Sequence, residues 1–436
     1  MTPFQLGITG IVVLLVLIFL QMPVGLAMAL IGFTGMTIIA GIKPAFSLIA
    51  NEPYAVAANY VYSVIPLFVF MGYLASHTRL SADAFFVLDK WIGRLRGGLA
   101  MGAIGACTIF AAICGDPIST SATITTVSLS EMRKYGYKDQ LSLGAIAAGG
   151  NLGFLIPPSL VFIIYAILTE QSIGVLFMSG ILPGLLLSAS FILTIYLQCL
   201  IDPNLAPVGP KTTWLERIKS TPRILGVLFI IVLVLGGIYT GIFTPTEAGA
   251  VGVFAIVILA LVTRQLLWHS FSTAIIEAAV MTGMVFILII GAMIFSRFLV
   301  IAEVPLNLAN FVANLDILPI FILIAVLIVY ILVGFIMDIV AILIVAIPIL
   351  HPLLVGLGFD PVWLAVLTVV TVLIGNVSPP FGIVCFALAG MVRDVPLFTI
   401  FRGVLPFVLA MLVCLVLLVA FPQIALWLPS MMRVGG

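Results

Sequence analysis

Apolar residues run in long blocks along this chain, near 4–21, 23–42, 58–77, 98–132, 140–167, 173–200, 223–243, 246–263, 273–299, 318–350, 361–390 and 403–428. Many approach the ~20 residues an α-helix needs to cross a bilayer. The blocks are continuous rather than alternating, which excludes a membrane β-barrel. Two of them, 98–132 and 318–350, are too long for one crossing and carry Gly, Pro, Asp or Ser at their centres. Each reads as a re-entrant hairpin, entering and leaving by one face. Two others, 140–167 and 361–390, contain a Gly-Asn step followed by a proline pair: Gly150-Asn151 before Pro157-Pro158, and Gly375-Asn376 before Pro379-Pro380. A double proline removes two amide donors and pushes the residue before it out of helical geometry, so both read as broken transmembrane helices.

These interruptions recur. Asp116 is echoed 222 positions later by Asp338, Gly136-Tyr137 by Gly358-Phe359, Pro157-Pro158 by Pro379-Pro380, and Pro23 by Pro245. The run Gly180-Ile181-Leu182-Pro183 returns as Gly403-Val404-Leu405-Pro406, one residue out of register. The chain therefore divides into two repeats, 1–200 and 223–436, joined by the polar linker 201–222. Interrupted apolar segments in corresponding positions of two halves point to a secondary transporter with its site at the bilayer midplane.

Composition narrows the class. Of the 436 residues 64% are hydrophobic and 8% charged, where a soluble chain would carry about a quarter charged. The result is an all-α polytopic membrane protein of the inner-membrane type. A net charge of +1 offers no basis for a nucleic-acid partner. Met1–Leu20 has no basic leader and no small-residue cleavage site, and reads as a first membrane helix. The five cysteines lie in apolar surroundings without disulfide or metal spacing. Residues 79–97 mix charges with aromatics in the manner of a helix lying along the cytoplasmic interface.

The cations set the orientation. If both flanks of 98–132 face the cytoplasm, then all Lys and Arg except Lys43, Arg297 and Arg433, out of 17, fall on that side, as the positive-inside rule requires. The second hairpin, whose flanks 300–317 and 351–360 carry no Lys or Arg, then opens outward. The repeats are inverted, and both termini face outside. Two ordinary crossings would preserve the same count, so hairpin depth stays open.

The candidate chemistry sits at the interruptions. Cys114-Gly115-Asp116-Pro117-Ile118-Ser119-Thr120-Ser121 places a carboxylate and three hydroxyls inside an apolar hairpin. An intramembrane carboxylate marks a functional site, and hard cations such as Na⁺ take oxygen ligands. Two cation sites are expected, each built from a hairpin tip and the broken helix of its own half. The first comprises Asp116, Ser119 and Ser121 with the backbone around Asn151; the second comprises Gly334, Asp338, Asn376 and Ser378. Free amides and carbonyls at the breaks would hold substrate near Asn151, Pro157, Ser159, Asn376 and Pro379.

Gly136-Tyr137, Leu152-Gly153 leading to Ile156-Pro157-Pro158-Ser159, Gly180-Ile181-Leu182-Pro183-Gly184, Gly358-Phe359-Asp360-Pro361 and Ser378-Pro379-Pro380-Phe381-Gly382 together resemble the large membrane subunit of tripartite ATP-independent periplasmic (TRAP) transporters. The resemblance runs nearly end to end. It implies sodium-coupled uptake of a small carboxylate from a periplasmic binding protein, a separate small four-helix membrane subunit, and an elevator motion of the hairpin-bearing body. Cys114-Gly115-Asp116 stands where that family usually has Ser-Gly-Ser, and Ser378 stands where Thr is usual; the added carboxylate leaves H⁺ open beside Na⁺. The rival readings are a stand-alone carboxylate symporter and an intramembrane aspartyl protease using Asp116 and Asp338. A cysteine introduced at position 211 is expected to label from the cytoplasm in a background free of native cysteines. Labelling from the periplasm would invert the topology.

Overall fold

The computed structural model describes residues 1–209, 212–314, 317–335 and 337–432. Lys211 and Arg433, two of the counted cations, and Ile336 of the second hairpin lie outside the described residues. The first half contains α1 (Pro3–Phe19), α2 (Val24–Ala40), α3 (Ile42–Ala57), α4 (Val64–Ser76) and α5 (Leu80–Ile92). A hairpin follows, α6 (Gly98–Cys114) and α7 (Pro117–Lys134), then a broken helix, α8 (Asp139–Asn151) and α9 (Leu160–Thr169), and then α10 (Ile173–Ile201). After the short linker helix α11 (Trp214–Ser220) the order returns as α12 (Pro222–Tyr239), α13 (Pro245–Val262), α14 (Trp268–Ile301) and α15 (Val304–Ala313). The second hairpin is α16 (Pro319–Gly334) and α17 (Ile339–Gly356), and the second broken helix α18 (Pro361–Val377) and α19 (Ile383–Met391). The chain ends on α20 (Leu397–Ala420) and α21 (Gln423–Ser430). Among the described residues six helices are long and apolar enough to cross a membrane. At 34 residues α14 is about 51 Å long, well beyond the ~30 Å hydrocarbon core.

Local chemistry explains the repeated residues. Asp116 and Asp338 are the N-caps of α7 and α17: Ser119 N donates to Asp116 Oδ2 at 2.6 Å and Val340 N to Asp338 Oδ2 at 3.1 Å. Asp360 caps α18 by accepting from the amides of Val362 and Trp363, ahead of Pro361 in the first turn. Thr244, just ahead of Pro245, forms a capping box with Glu247 at the start of α13. Gly136 and Gly358 turn the chain out of each hairpin with φ of +79° and +90°, a conformation only glycine adopts at no cost.

The helices form two bodies. One contains α1–α4 and α12–α14, with α2 laid along α14; the other contains both hairpins, both broken helices, α10, α20 and α21. The short helices α5 and α15, in equivalent positions before each hairpin, touch both bodies. Hydropathy alone leaves 173–200 and 403–428 with the scaffold, outside the hairpins and broken helices, whereas the structure packs them as α10 and α20 into the hairpin-bearing body. Gly144 of α8 has no room for a side chain against the Gly403 backbone, where a Cβ would meet the carbonyl at 2.4 Å. Gly180 of α10 sits as close to the Leu155 carbonyl, and Phe191 packs edge-on against Phe407 with ring centroids 5.5 Å apart. Helices α3 and α15 were not expected, because Lys43, Asn51, Glu52 and Pro53 in one and Pro305, Asn307 and Asn310 in the other disguise them. The last apolar block is two helices, since α20 ends at Ala420 before Pro422.

Arg133, at the end of the first hairpin, pairs with Asp139 at 2.7 Å and with Asp394, between α19 and α20, at 2.8 Å. The Arg133 guanidinium holds the Asp394 carboxyl below its usual range, so this latch is formed at neutral pH and weakens only as pH falls through that lowered value. Lys138 and Asp202 lie at the same end, 3.5 Å apart. Arg297 pairs with Glu52 in the other body at 3.6 Å.

The broken helices meet at one buried point. Asn376 Nδ2 donates to Asn151 Oδ1 at 3.0 Å, and Asn151 Nδ2 donates to the Leu373 carbonyl at 2.8 Å. Replacing Asn151 or Asn376 with Leu is expected to destabilise the protein by about 1–3 kcal/mol, the cost of a stranded buried amide or carbonyl. The double variant should cost less than the sum of the single ones. Thermal denaturation of the purified protein measures this, and strictly additive losses would show the pair uncoupled.

Candidate functional site

The first hairpin tip is a turn between two helix ends. Gly115, with φ of +66°, closes α6; its Cα lies so near the Pro158 carbonyl that a Cβ would approach it to 2.4 Å. The tip therefore seats directly on the proline pair of the first break. The break is buried from Asn151 to Ser159, and Ser159 Oγ donates to the Phe154 carbonyl at 2.6 Å. Pro157-Pro158 and Pro379-Pro380 both carry cis peptides.

The expected first ligand set divides between two faces of α7. Residues two apart on a helix point nearly opposite ways, and Ser119 and Ser121 do so. Ser121 is fully buried against α8, so close to Gly150 that any side chain there would collide with its hydroxyl, and Pro117 O lies on the same side. Ser121 Oγ is buried without a hydrogen-bond partner among the described residues. Asp116 and Ser119 are half-buried and turn the other way. They line a cavity of about 30 Å³ whose far wall is Phe68, Tyr73 and Met281 of the other body. These three went unnoticed in the sequence; the one signal was Tyr73, a polar aromatic inside an otherwise apolar span.

The second tip is built alike but opened. The Gly334 backbone lies against α18, where a Cβ on Gly375 would meet it at 2.6 Å. Ser378, buried at the end of α18, donates to the Ile374 carbonyl at 2.5 Å, and Cys385 Sγ contacts the Val377 carbonyl at 3.5 Å. Asn376 is buried, while Asp338 and Pro379 through Phe381 are exposed. The structure thus sets Gly334 against Gly375, while Asn376 turns to Asn151 of the other break, Ser378 bonds back into α18 and Asp338 lies exposed at the tip, so the expected second ligand set is not gathered on one face. Among the described residues no cluster of three His, Cys, Asp or Glu side chains forms. A cation at either tip would be held by carbonyl, hydroxyl and amide oxygens, which are the donors present, and the orphaned Ser121 hydroxyl fits that need.

Asp116 and Asp338 each cap their own helix in separate hairpins and share no hydrogen bond with one another. The family described as "Tripartite ATP-independent periplasmic transporter, DctM component" matches residues 11–424. The chain is 32% identical over 383 residues to the C4-dicarboxylate TRAP transporter large permease protein DctM of Pseudomonas aeruginosa, covering 88% of this chain and 89% of that one. It is 33% identical over 395 residues to the ectoine/5-hydroxyectoine TRAP transporter large permease protein UehC of Ruegeria pomeroyi, covering 89% and 87%. A crystal structure of the Alcanivorax borkumensis YdaH transporter, described as having an unusual topology, has the same fold, with a TM-score of 0.62 at 15% identity over 88% of this chain and 90% of that one. The chain is a multi-pass protein of the bacterial inner membrane, a transporter subunit and not an enzyme, and it belongs to the large permease subunits of TRAP transporters.

Proposed function

We propose that this chain is the membrane subunit through which a sodium gradient drives import of a small carboxylate, delivered by a periplasmic binding protein and assisted by a small membrane subunit. TRAP large permeases work with these two partners, and a relative from Oleidesulfovibrio alaskensis is named a DctMQ permease protein, 31% identical over 421 residues. Relatives named for C4-dicarboxylates, sialic acid and 2,3-diketo-L-gulonate support a small organic acid as cargo.

The observation that carries the coupling is the Ser121 hydroxyl, buried without a partner beside Gly150 and the Pro117 carbonyl. A polar atom stranded this way costs about 1–3 kcal/mol unless something binds it, and a desolvated Na⁺ supplies that partner. Its counterpart in the second half would draw on the Gly334 backbone, Asn376, Ser378 and Asp338 around the second tip. Asp116 and Ser119 face the inter-body cavity, and substrate would be gripped near Asn151, Pro157, Ser159, Asn376 and Pro379.

An elevator movement fits the way the bodies are held. Among the described residues every ion pair between helices stays inside one body: Arg133 with Asp139 and Asp394, Lys138 with Asp202, His77 with Glu277, Arg297 with Glu52. The surface between the bodies at the first tip is mainly apolar, with Phe68, Val69 and Met281 against Leu160 and Ile163, and can slide without breaking charge contacts.

Uptake by the reconstituted three-component complex, with a panel of carboxylates under imposed Na⁺ or H⁺ gradients, tests this reading. Ser121→Ala and Ser378→Ala are expected to raise the Na⁺ concentration for half-maximal uptake about tenfold each, equivalent to ~1.4 kcal/mol of lost ion binding. Ser119→Ala should move it less. Unchanged Na⁺ dependence in Ser121→Ala and Ser378→Ala, or uptake driven by the H⁺ gradient alone, would overturn sodium coupling at these tips.

A further inference from the structure

We propose that the cavity between the first hairpin tip and the other body receives a cationic group of the substrate, with Asp116 as its counter-charge, so that the cargo is a zwitterion rather than a simple anion. This deepens the transporter reading above and rests on it for the word substrate.

The charge is uncompensated. Asp116 accepts from the Ser119 amide at 2.6 Å, with the Ser119 hydroxyl and the Ile118 amide beside it, all of them neutral donors. Among the described residues it forms no ion pair with any Lys, Arg or His, all such pairs lying elsewhere. A carboxylate in an apolar interface needs an opposite charge or strong donors to remain ionised there. A bound cation supplies what the protein omits.

The walls favour an organic cation over a metal ion. Facing Asp116 across the cavity are Phe68 and Tyr73, with Met281 and Cys114 completing it. Aromatic faces attract alkylammonium and amidinium groups, and sulfur and phenyl groups are poor partners for Na⁺, which wants a shell of oxygens. The hydroxyl that would have completed such a shell, Ser121, is on the opposite face of α7 against Gly150. The polar atoms offered here are the Asp116 carboxylate and the Ser119 and Tyr73 hydroxyls, enough for the two or three hydrogen bonds of one ammonium.

The size agrees. At about 30 Å³ the cavity admits an end-group and not a whole substrate. It lies across the boundary between the two bodies, so a cation seated there contacts both and would be released when they shift.

Native Cys114 lines the same cavity and provides a test that needs no known substrate. In the full chain with Cys107, Cys199, Cys385 and Cys414 replaced by Ala, Cys114 is treated with methanethiosulfonates bearing an aminoethyl, a methyl or a sulfonatoethyl group. Rates are normalised to a free thiol. The aminoethyl reagent is expected to react about tenfold or more faster than the neutral one, and the anionic reagent slowest, given a carboxylate close by. Asp116→Asn should erase the ranking. Equal rates for the three reagents, a ranking that survives Asp116→Asn, or a Cys114 that resists all three would overturn the pocket. In the reconstituted complex, matched pairs such as glutamate and glutarate provide the second arm. Asp116→Ser should raise KM about tenfold for the ammonium-bearing member and leave the Na⁺ half-saturation unmoved; a shifted Na⁺ half-saturation with unchanged KM would make Asp116 an ion ligand instead. Absence of uptake under either gradient, with the thiol ranking intact, would sink the transport reading and leave the cation pocket standing.

Discussion

A helix interrupted inside hydrocarbon exposes amides and carbonyls that no water can satisfy, and it survives only where protein or a bound ion covers them. This chain interrupts two. It sets them side by side, so that the asparagine before one break bonds the helix that leads into the other. The remaining architecture serves that junction. Each hairpin closes over a broken helix through a contact too tight for any side chain, Gly150 beneath Ser121 in one half and Gly375 beneath Gly334 in the other. The long helices α10 and α20 pack behind the breaks, with the same use of glycine at Gly180, Gly144 and Gly403. Backbone-to-backbone approach of this kind is how helices gain packing in lipid, where burying apolar surface offers little.

Much of this could be read from residues that make sense only as punctuation. The two proline pairs, the Gly-Asn steps and the hairpin carboxylates have no place in an ordinary span, so their recurrence revealed the repeats. Gly136 and Gly358 were visible as echoes, and their left-handed backbone explains why they recur. Membership of the packed body was not visible, because 173–200 and 403–428 look like any apolar span. What assigns them is contact between glycine faces, and a single sequence does not show which faces meet. Helices α3 and α15 escaped for the opposite reason: they lie among polar residues and prolines that hydropathy reads as loop.

The candidate site was half legible for a related cause. A cluster of oxygens in Asp116, Ser119, Thr120 and Ser121 reads as one site when only spacing is considered. Once Asp116 is fixed as the cap of α7, helical phase divides it. Thr120 Oγ1 bonds back to the Asp116 carbonyl at 2.7 Å, Ser121 faces the broken helix, and Ser119 faces the other body. The start of a helix therefore determined which hydroxyls could cooperate, and a start defined to within two residues is finer than hydrophobic pattern delivers.

The two tips also differ in a way that bears on transport. The first break is sealed from Asn151 to Leu160, while the second exposes Pro379, Pro380, Phe381 and the neighbouring Asp338. Sequence symmetry alone would make the two sites equivalent, yet the second break is exposed where the first is buried. The sealed tip is packed against a wall from the other body. The wall is α4 and α14, and the residues it presents at the sealed tip, Phe68, Tyr73 and Met281, are apolar or uncharged. A charged wall would have pinned the body in place by an ion pair to Asp116; an aromatic one leaves that carboxylate to whatever cation arrives.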